Sequence, residues 1–154
     1  MSPRTITELI RREVPLLRED MPVDDGVRTL LDAGLPALPV VDAQQLLVGI
    51  FGEREFVTAL FPGYVGSLGY AAFVPKSVEA AIQKRQSCRS EPVARHMYRE
   101  HIDVPADFSD LQLAEIFIHH RVLIIPVTAR GRVCGIVTRA DFFSALAERF
   151  IAHA

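Results

Sequence analysis

One segment of this chain occurs twice, and this repeat constrains the possible fold more than any other feature. Residues 38–56 read LPVVDAQQLLVGIFGEREF, and residues 125–142 read IPVTARGRVCGIVTRADF. The Pro-Val pairs match at an offset of 87 and the Gly-Ile pairs at an offset of 86, so one residue is lost in the turn between them. Each copy spans about 50 residues, which bury too little surface to be comfortably stable alone. We therefore expect two similar units that pack together around shared apolar surface.

Apolar periodicity and capping residues predict the same order of elements, β-α-β-β-α, in both copies. In the first copy, Asp24 and Asp25 lie where a helix begins and Gly34 lies where it ends, as the helix dipole and a C-cap favour. The predicted elements of this copy are a strand over 14–17, a helix over 24–34, strands over 38–41 and 46–51, and a helix over 53–60.

The second copy repeats this order after a capping box that begins at Ser109. Its predicted elements are a strand over 102–104, a helix over 109–120, strands over 123–128 and 132–137, and a helix over 138–150. We expect the buried faces of its two helices to carry Leu113, Ile116 and Phe117 on the first, and Phe142, Phe143, Leu146 and Phe150 on the second.

These elements predict an α+β fold with four segments. They are an N-terminal helix within residues 1–13, the first copy over 14–61, a linker with a short helix over 62–91, and the second copy over 92–154. Residues 61–75 carry no charged side chain, which makes this stretch too apolar for a free linker. It is either a loop packed on the core or an oligomer interface built from Tyr64, Tyr70 and Phe73.

Composition argues against several classes of protein. The net charge of −2 is too balanced for a nucleic-acid partner. No apolar run reaches the ~18 residues that a membrane helix needs, and the first residues lack the apolar core of a signal peptide. We therefore expect a soluble cytoplasmic protein without a membrane or nucleic-acid partner.

Nothing in the sequence predicts a metal centre or a catalytic site. Cys88 and Cys134 lie far apart and belong to no metal or redox motif, and no pair of histidines has a zinc spacing. His119 and His120 are interpreted as residues at a helix end, where a cation is favourable. No serine lies in a nucleophile elbow, so we expect a protein that is not an enzyme and has no catalytic cofactor.

The segment from Gly135 to Asp141 is the most informative candidate site. A buried strand leads there into a helix whose first turn carries Thr138, Arg139 and Asp141. Unpaired N–H groups at a helix start attract anions, and a hydroxyl and a guanidinium can add hydrogen bonds to phosphate. A nearby carboxylate can accept from two vicinal sugar hydroxyls, so the set suits a ribose phosphate. The alternative is structural, because Thr138 followed by Asp141 also forms a capping box.

The matching corner of the first copy indicates where such a site would lie if there is one. It carries Gly52 and Glu55 where the second copy has Thr138 and Asp141. A helix start tolerates both changes, because glycine can serve as an N-cap and glutamate can still reach back. A close-fitting ribose site does not tolerate them, so any such site is expected in the second copy.

Two copies of β-α-β-β-α with a Pro-Val strand and a GIVTxxD corner resemble a tandem pair of CBS (cystathionine β-synthase) domains, also called a Bateman module. The resemblance covers about residues 14–61 and 92–150 and fits the second copy throughout residues 125–127 and 135–141. It implies two repeats packed with pseudo-twofold symmetry, and AMP, ADP, ATP or S-adenosylmethionine bound in clefts between them. Carried over, Asp141 holds the ribose hydroxyls and Thr138 lies near the phosphate. The implied adenine pocket consists of Ile102, Asp103, Val104, Ile124, Ile125 and Pro126.

Two functions remain open from the sequence. The first is a regulatory module that binds an adenosine nucleotide mainly at the second-copy site and acts on an effector protein or on a homodimer of CBS pairs. The second is an interaction scaffold without a ligand, in which the repeat serves packing and dimerisation.

Overall fold

The computed structural model describes residues 11–62 and 77–153. These residues form two three-stranded sheets, and the described part of the chain divides into two compact units. The first-copy unit contains residues 15–44, 48–62 and 77–100, and the second-copy unit contains residues 11–14, 45–47 and 101–153. No helix in the described ranges is long and apolar enough to cross a membrane.

The first-copy unit follows the predicted order of elements. Its elements are β1 (Leu17–Arg18), α1 (Val23–Ala33), β2 (Ala37–Val41), β3 (Leu47–Gly52), α2 (Glu53–Leu60) and α3 (Val78–Lys84), followed by short 3₁₀ helices over Gln86–Ser90 and Val93–Arg95. The sheet order is β1-β2-β3, with β1 parallel to β2. Gly34 ends α1 with a φ of 66°, a left-handed conformation that favours glycine. Leu17, Leu38 and Phe51 are fully buried in this unit.

The second-copy unit repeats this arrangement. Its elements are β4 (Val104–Pro105), α4 (Asp110–His119), β5 (Ile124–Ala129), β6 (Arg132–Thr138) and α5 (Arg139–Ala152). The sheet order is β4-β5-β6, with β4 parallel and β6 antiparallel to β5. The core of the unit consists of Val104, Phe108, Leu113, Ile125, Val127, Val137 and Phe142. Phe117 stacks on Phe142 with ring centroids 5.3 Å apart, so α4 and α5 meet over the same core.

Each sheet is extended by one residue from the stretch just before, or at the start of, the other copy. Arg12 forms an antiparallel bridge with Ile136, and Tyr98 forms the matching bridge with Ile50. Both members of each pair are displaced by 86 residues from their counterparts, which is the offset of the repeat.

Gly135 and Gly49 precede the two bridged isoleucines, and the bridging backbone passes so close to them that only glycine fits. A Cβ at Gly135 would lie 2.8 Å from the Arg12 carbonyl oxygen, and a Cβ at Gly49 would lie 2.9 Å from that of Tyr98. Both distances are below any normal contact. The Gly-Ile pair thus persists in both copies because a neighbouring backbone lies against it.

The α+β class and the β-α-β-β-α order of both copies are confirmed. The predicted inward face of α5 is wrong in part. Phe142 is buried, but Phe143, Leu146 and Phe150 are 67%, 43% and 83% exposed. Their spacing is helical, but the residues of α5 that pack on the core are Phe142 and Ala145, and the other three lie on a different face of the helix.

The N-terminal helix lies mostly outside the described residues. Its last predicted positions, 11–13, are not helical, because Arg12 pairs with a strand. Most of the uncharged 61–75 segment, with Tyr64, Tyr70 and Phe73, also lies outside the described residues.

Candidate functional site

The corner between β6 and α5 is held by hydrogen bonds on both sides. Thr138 is the N-cap of α5, is only 4% exposed, and accepts a hydrogen bond from the backbone N–H of Asp141 at 3.0 Å. The backbone N–H of Arg139 donates to the carbonyl oxygen of Leu123 at 3.0 Å. The helix therefore begins at a fixed place relative to β5.

The carboxylate of Asp141 does not complete a reciprocal capping box. Both of its oxygens face the guanidinium of Arg12, with Nε 2.5 Å from Oδ2 and Nη2 2.7 Å from Oδ1. The side chain of Asp141 is 23% exposed and that of Arg12 is 53% exposed. The hydrogen bond to Asp141 and its negative charge raise the pKa of Arg12 above its ordinary value.

The other predicted site residues lie in the same unit. Ile124, Ile125 and Pro126 of β5 are buried and stand opposite Thr138, Val137 and Ile136 of β6. These β5 residues are thus cross-strand neighbours of the corner. The side chain of Arg139 is exposed beside it.

Ile102 and Asp103 lie just before β4, the strand that runs parallel to β5, and a side-chain hydrogen bond holds Asp103 there. Val104 in β4 is buried and pairs with Val127. Asp103 precedes it, and its Oδ2 accepts a hydrogen bond from the Thr128 hydroxyl at 2.7 Å. Ile102 is half-buried. The sheet therefore places the start of β4 directly beside β5. The carboxylate of Asp103, however, is already hydrogen-bonded to Thr128.

The first-copy corner has the same backbone but different chemistry. The N–H of Glu53 donates to the carbonyl oxygen of Pro36 at 2.8 Å, which matches the bond made by Arg139 in the second copy. A Cβ at Gly52 would lie 2.3 Å from that carbonyl oxygen and 2.5 Å from the Cβ of Ala37. No residue larger than glycine fits at this position without a backbone shift, so the hydroxyl of the second copy has no counterpart.

Glu55 also differs from its counterpart Asp141. Burial raises the pKa of Glu55, and this effect is partly offset by the backbone N–H groups of Glu55 and Gly52. Its carboxylate therefore interacts with the start of its own helix. The position that corresponds to Arg12 is occupied by the uncharged Tyr98.

Arg12 is a site residue that the sequence analysis missed. It lies 129 residues before Asp141 and outside both copies of the repeat as they were delimited. The offset of 86 could have indicated it, because Met97–Tyr98 leads into the second copy and Arg11–Arg12 is the matching position.

A family comparison agrees with the fold. The model of the CBS domain matches residues 6–62 and 93–148. The chain belongs to the CBS-domain family, and it carries two such domains in tandem. A curated relative, an uncharacterised protein of Methanocaldococcus jannaschii, is 24% identical over 141 residues. The match covers 92% of this chain but 42% of that protein, so this chain spans less than half the length of that relative.

Solved structures of CBS-domain proteins have the same fold. The CBS-pair protein CBSX2 of Arabidopsis thaliana has a TM-score of 0.71 at 19% identity, with 97% of this chain and 98% of that chain covered. A structure of CBSX2 in complex with AMP has a TM-score of 0.69 at 18% identity, covering 96% and 99%. A CBS-domain protein of Kribbella flavida has a TM-score of 0.70 at 20% identity, covering 94% and 99%. At these identities the likeness shows the fold.

Proposed function

We propose that this chain is a regulatory module that binds an adenosine nucleotide at the second-copy corner. The observation that carries this proposal is the orientation of the Asp141 carboxylate. It presents two acceptor oxygens to two parallel donors of Arg12 instead of capping its own helix. Two vicinal ribose hydroxyls offer donors in a similar arrangement, so the same carboxylate can hold a ribose.

Neighbouring groups supply what a phosphate requires. The hydroxyl of Thr138 accepts one hydrogen bond from Asp141 and can donate another. The N-terminus of α5 carries the positive end of a 14-residue helix dipole, and the exposed guanidinium of Arg139 lies at its first position. Ile124, Ile125 and Pro126 offer apolar surface for a base on the adjacent strand.

The comparisons support a nucleotide of this class. CBSX2, whose fold this chain shares, has been crystallised with AMP. AMP, ADP, ATP and S-adenosylmethionine all contain the adenosine ribose that Asp141 would hold. No catalytic step is proposed, and the ligand would act by binding two conformations of the protein with different affinity.

Calorimetric titration with these four ligands tests the proposal. We expect wild type to bind at least one of them at one site per chain, and Asp141→Ala to weaken that binding by at least tenfold, because the ribose contact is lost. Glu55→Gln is the matched control in the first copy and should bind as wild type does. Equal binding by wild type and Asp141→Ala would remove the site from this corner.

A dimerisation scaffold is a second candidate, favoured by the exposed apolar side chains of the second-copy unit. Phe143, Leu146 and Phe150 follow helical spacing on α5, and Leu111 and Ile118 on α4 are 82% and 76% exposed. Exposed apolar side chains that share one face of a helix often mark contacts between proteins. This candidate predicts a homodimer and no effect of Thr138 or Asp141 on function.

A further inference from the structure

Three side chains of types that can bind a metal lie close together in the first-copy unit, away from the corner described above. The Sγ of Cys88, an Oε of Glu91 and a ring nitrogen of His96 all lie within 4.8 Å of one another. Sγ is 4.0 Å from Nε2, and Oε1 of Glu91 is 3.5 Å from the same Nε2. Among the described residues, no other group of His, Cys, Asp and Glu side chains gathers so closely.

The backbone fixes the positions of all three residues. Cys88 lies in the 3₁₀ helix Gln86–Ser90, and its carbonyl oxygen accepts from the N–H of Glu91 at 3.1 Å. The carbonyl oxygen of Glu91 accepts from the N–H of Val23 at 2.9 Å, which ties this segment to the start of α1. The N–H of His96 donates to the carbonyl oxygen of Val93 at 2.9 Å and closes the second 3₁₀ turn. The convergence therefore does not depend on flexible loops.

The carboxylate of Glu91 is oriented by arginine. Its Oε2 accepts a hydrogen bond from Nη1 of Arg95. Its Oε1 is completely buried and has no hydrogen-bond partner within the described ranges. The Nη2 of Arg85 lies 3.7 Å from this atom, too far for a hydrogen bond, and its Nε is held by the Ala59 carbonyl oxygen at 2.9 Å. A buried carboxylate oxygen without a hydrogen bond is unfavourable, and here it faces the cysteine and the histidine.

The arrangement does not match a proton relay of the cysteine-histidine-carboxylate type. In such a relay the two ring nitrogens contact different partners. Here Sγ and Oε1 both approach the same nitrogen, Nε2. Three donor atoms within 4.8 Å of one another are close enough to be ligands of a single ion.

We propose that Cys88, Glu91 and His96 bind a divalent transition-metal cation of the zinc class. Tetrahedral zinc, with bonds of about 2.3 Å to sulfur and about 2.0–2.1 Å to nitrogen and oxygen, separates its S and N ligands by about 3.6 Å and its N and O ligands by about 3.3 Å. The observed separations of 4.0 Å between Sγ and Nε2 and 3.5 Å between Nε2 and Oε1 exceed these values by a few tenths of an ångström, and Sγ lies within 4.8 Å of the Glu91 carboxylate. Mixed sulfur, nitrogen and oxygen donors favour zinc over magnesium or calcium.

Charge and accessibility are compatible with such a site. Burial and the charge of Glu91 raise the pKa of Cys88, so the apo protein holds a thiol there. On binding, the S–H proton passes to water as the sulfur–metal bond forms, and the thiolate adds a negative charge to that of the carboxylate, which Arg85 and Arg95 also face. Cys88 is 2% exposed, and the side chains of His96 and Glu91 are 14% and 18% exposed, so the three donors lie where little water reaches them. The hydrogen bond from Arg95 to Oε2 holds the carboxylate as outer-shell partners of metal ligands do.

Zinc titration of the untagged, chelator-stripped full chain tests this proposal, with a chromophoric chelator as competitor. We expect one tight equivalent of zinc per chain, and a rise in Tm of roughly 5–10 °C when free zinc exceeds Kd by about 100-fold. Cobalt substitution provides a readout that needs no variant, since a cysteine ligand gives a thiolate-to-cobalt charge-transfer band. Absence of zinc binding or of this band in wild type would overturn the proposal.

Variants assign the ligands. Cys88→Ser, Glu91→Gln and His96→Gln should each weaken zinc binding by at least ten- to a hundredfold, the loss typical even of outer-shell partners. Cys134→Ser and His119→Gln are matched controls in the other unit and should bind zinc as wild type does. Circular dichroism checks that each variant folds, and Cys88→Ala replaces Cys88→Ser if the latter does not. Unchanged binding after loss of Cys88, or loss of binding in Cys134→Ser, contradicts the assignment. The site is independent of the nucleotide proposal.

Discussion

The guanidinium of Arg12 and the carboxylate of Asp141 form a two-point ion pair across 129 residues of sequence. The backbone bridge between Arg12 and Ile136 brings them together, because Ile136 lies five residues before Asp141 at the end of the same sheet. The carboxylate that would hold a ribose is therefore already engaged by this chain's own arginine. A nucleotide that uses Asp141 must displace Arg12.

Arg12→Ala is accordingly expected to strengthen nucleotide binding. An ion pair as exposed as this one is worth about 0.2–1 kcal/mol, so the gain should not exceed about fivefold. Calorimetry on wild type and variant measures it. Arg11→Ala is the control, because Arg11 is also exposed and lies next in sequence. Weaker binding by Arg12→Ala would mean that Arg12 contacts the nucleotide itself.

Thr138→Val should destabilise the protein by about 0.5–2 kcal/mol, the usual range for loss of an N-cap. The buried β-branched shape is kept, but the N–H of Asp141 loses its acceptor. Urea denaturation followed by circular dichroism gives the free energy of unfolding. Thr138→Ser keeps the hydroxyl and should lie much closer to wild type. Equal stability of Thr138→Val and wild type would show that the cap contributes nothing.

Gly52→Thr should not create a second nucleotide site and should destabilise the fold. The new Cβ would overlap the Pro36 carbonyl oxygen and the Cβ of Ala37, so we expect a loss of at least about 1–3 kcal/mol. Gly34→Asn is the control, because no atom lies within 4 Å of a Cβ there and asparagine tolerates the left-handed conformation. A Gly52→Thr protein as stable as wild type would refute the steric account.

Glu55→Gln should stabilise the protein at neutral pH. The folded state raises the pKa of Glu55, so it binds the proton more tightly than the unfolded chain does. Stability therefore falls as pH rises from the unfolded pKa through the folded one, and the loss persists at neutral pH. Glutamine keeps the acceptor oxygen for the helix start without the charge.

The gain from Glu55→Gln should disappear at a pH below the unfolded pKa, where wild type is neutral as well. Denaturation curves across acid to neutral pH measure this difference. Glu115→Gln, on the exposed side of α4, is the control for removing a carboxylate from the surface of a helix. A gain that is the same at every pH would exclude desolvation of the charge as its cause.

Phe143→Glu combined with Phe150→Glu should convert a dimer to a monomer if the exposed face of α5 is an interface. Both side chains are mostly exposed within one chain, so their replacement should leave the unfolding free energy of the unit nearly unchanged. Sedimentation velocity of wild type and variant gives the oligomeric state. Arg139→Glu, also exposed on α5, is a control for added charge. A variant that still sediments as a dimer places the interface elsewhere.

The order of elements could be predicted because local signals were strong. Ser109 and Thr138 cap α4 and α5, Gly34 ends α1, and α2 has the predicted bounds. The outward face of α5 could not be predicted. Its apolar spacing shows that a face is to be covered, but not whether the chain's own core or another molecule covers it.

The site features that could not be predicted depend on contacts between segments that are distant in the sequence. Local sequence patterns do not reveal such contacts. Arg12 reaches Asp141 through a bridge between distant segments, and Gly52 is explained by the position of Pro36. Cys88, Glu91 and His96 are separated by two and four residues, a spacing that belongs to no standard metal motif. Two consecutive 3₁₀ turns bring them together. Turns this short show no recognisable periodicity of apolar residues in the sequence.

The paired bridges Arg12–Ile136 and Tyr98–Ile50 have a consequence for dividing the chain. In each case the last strand of one copy is bridged by the stretch that leads into the other copy, and Gly135 and Gly49 have no side chain that would block it. Cutting the chain between its repeats would leave Arg12 and Ile136 on different fragments, and likewise Tyr98 and Ile50. Each fragment would then lack a strand position that only reassociation with the other could restore.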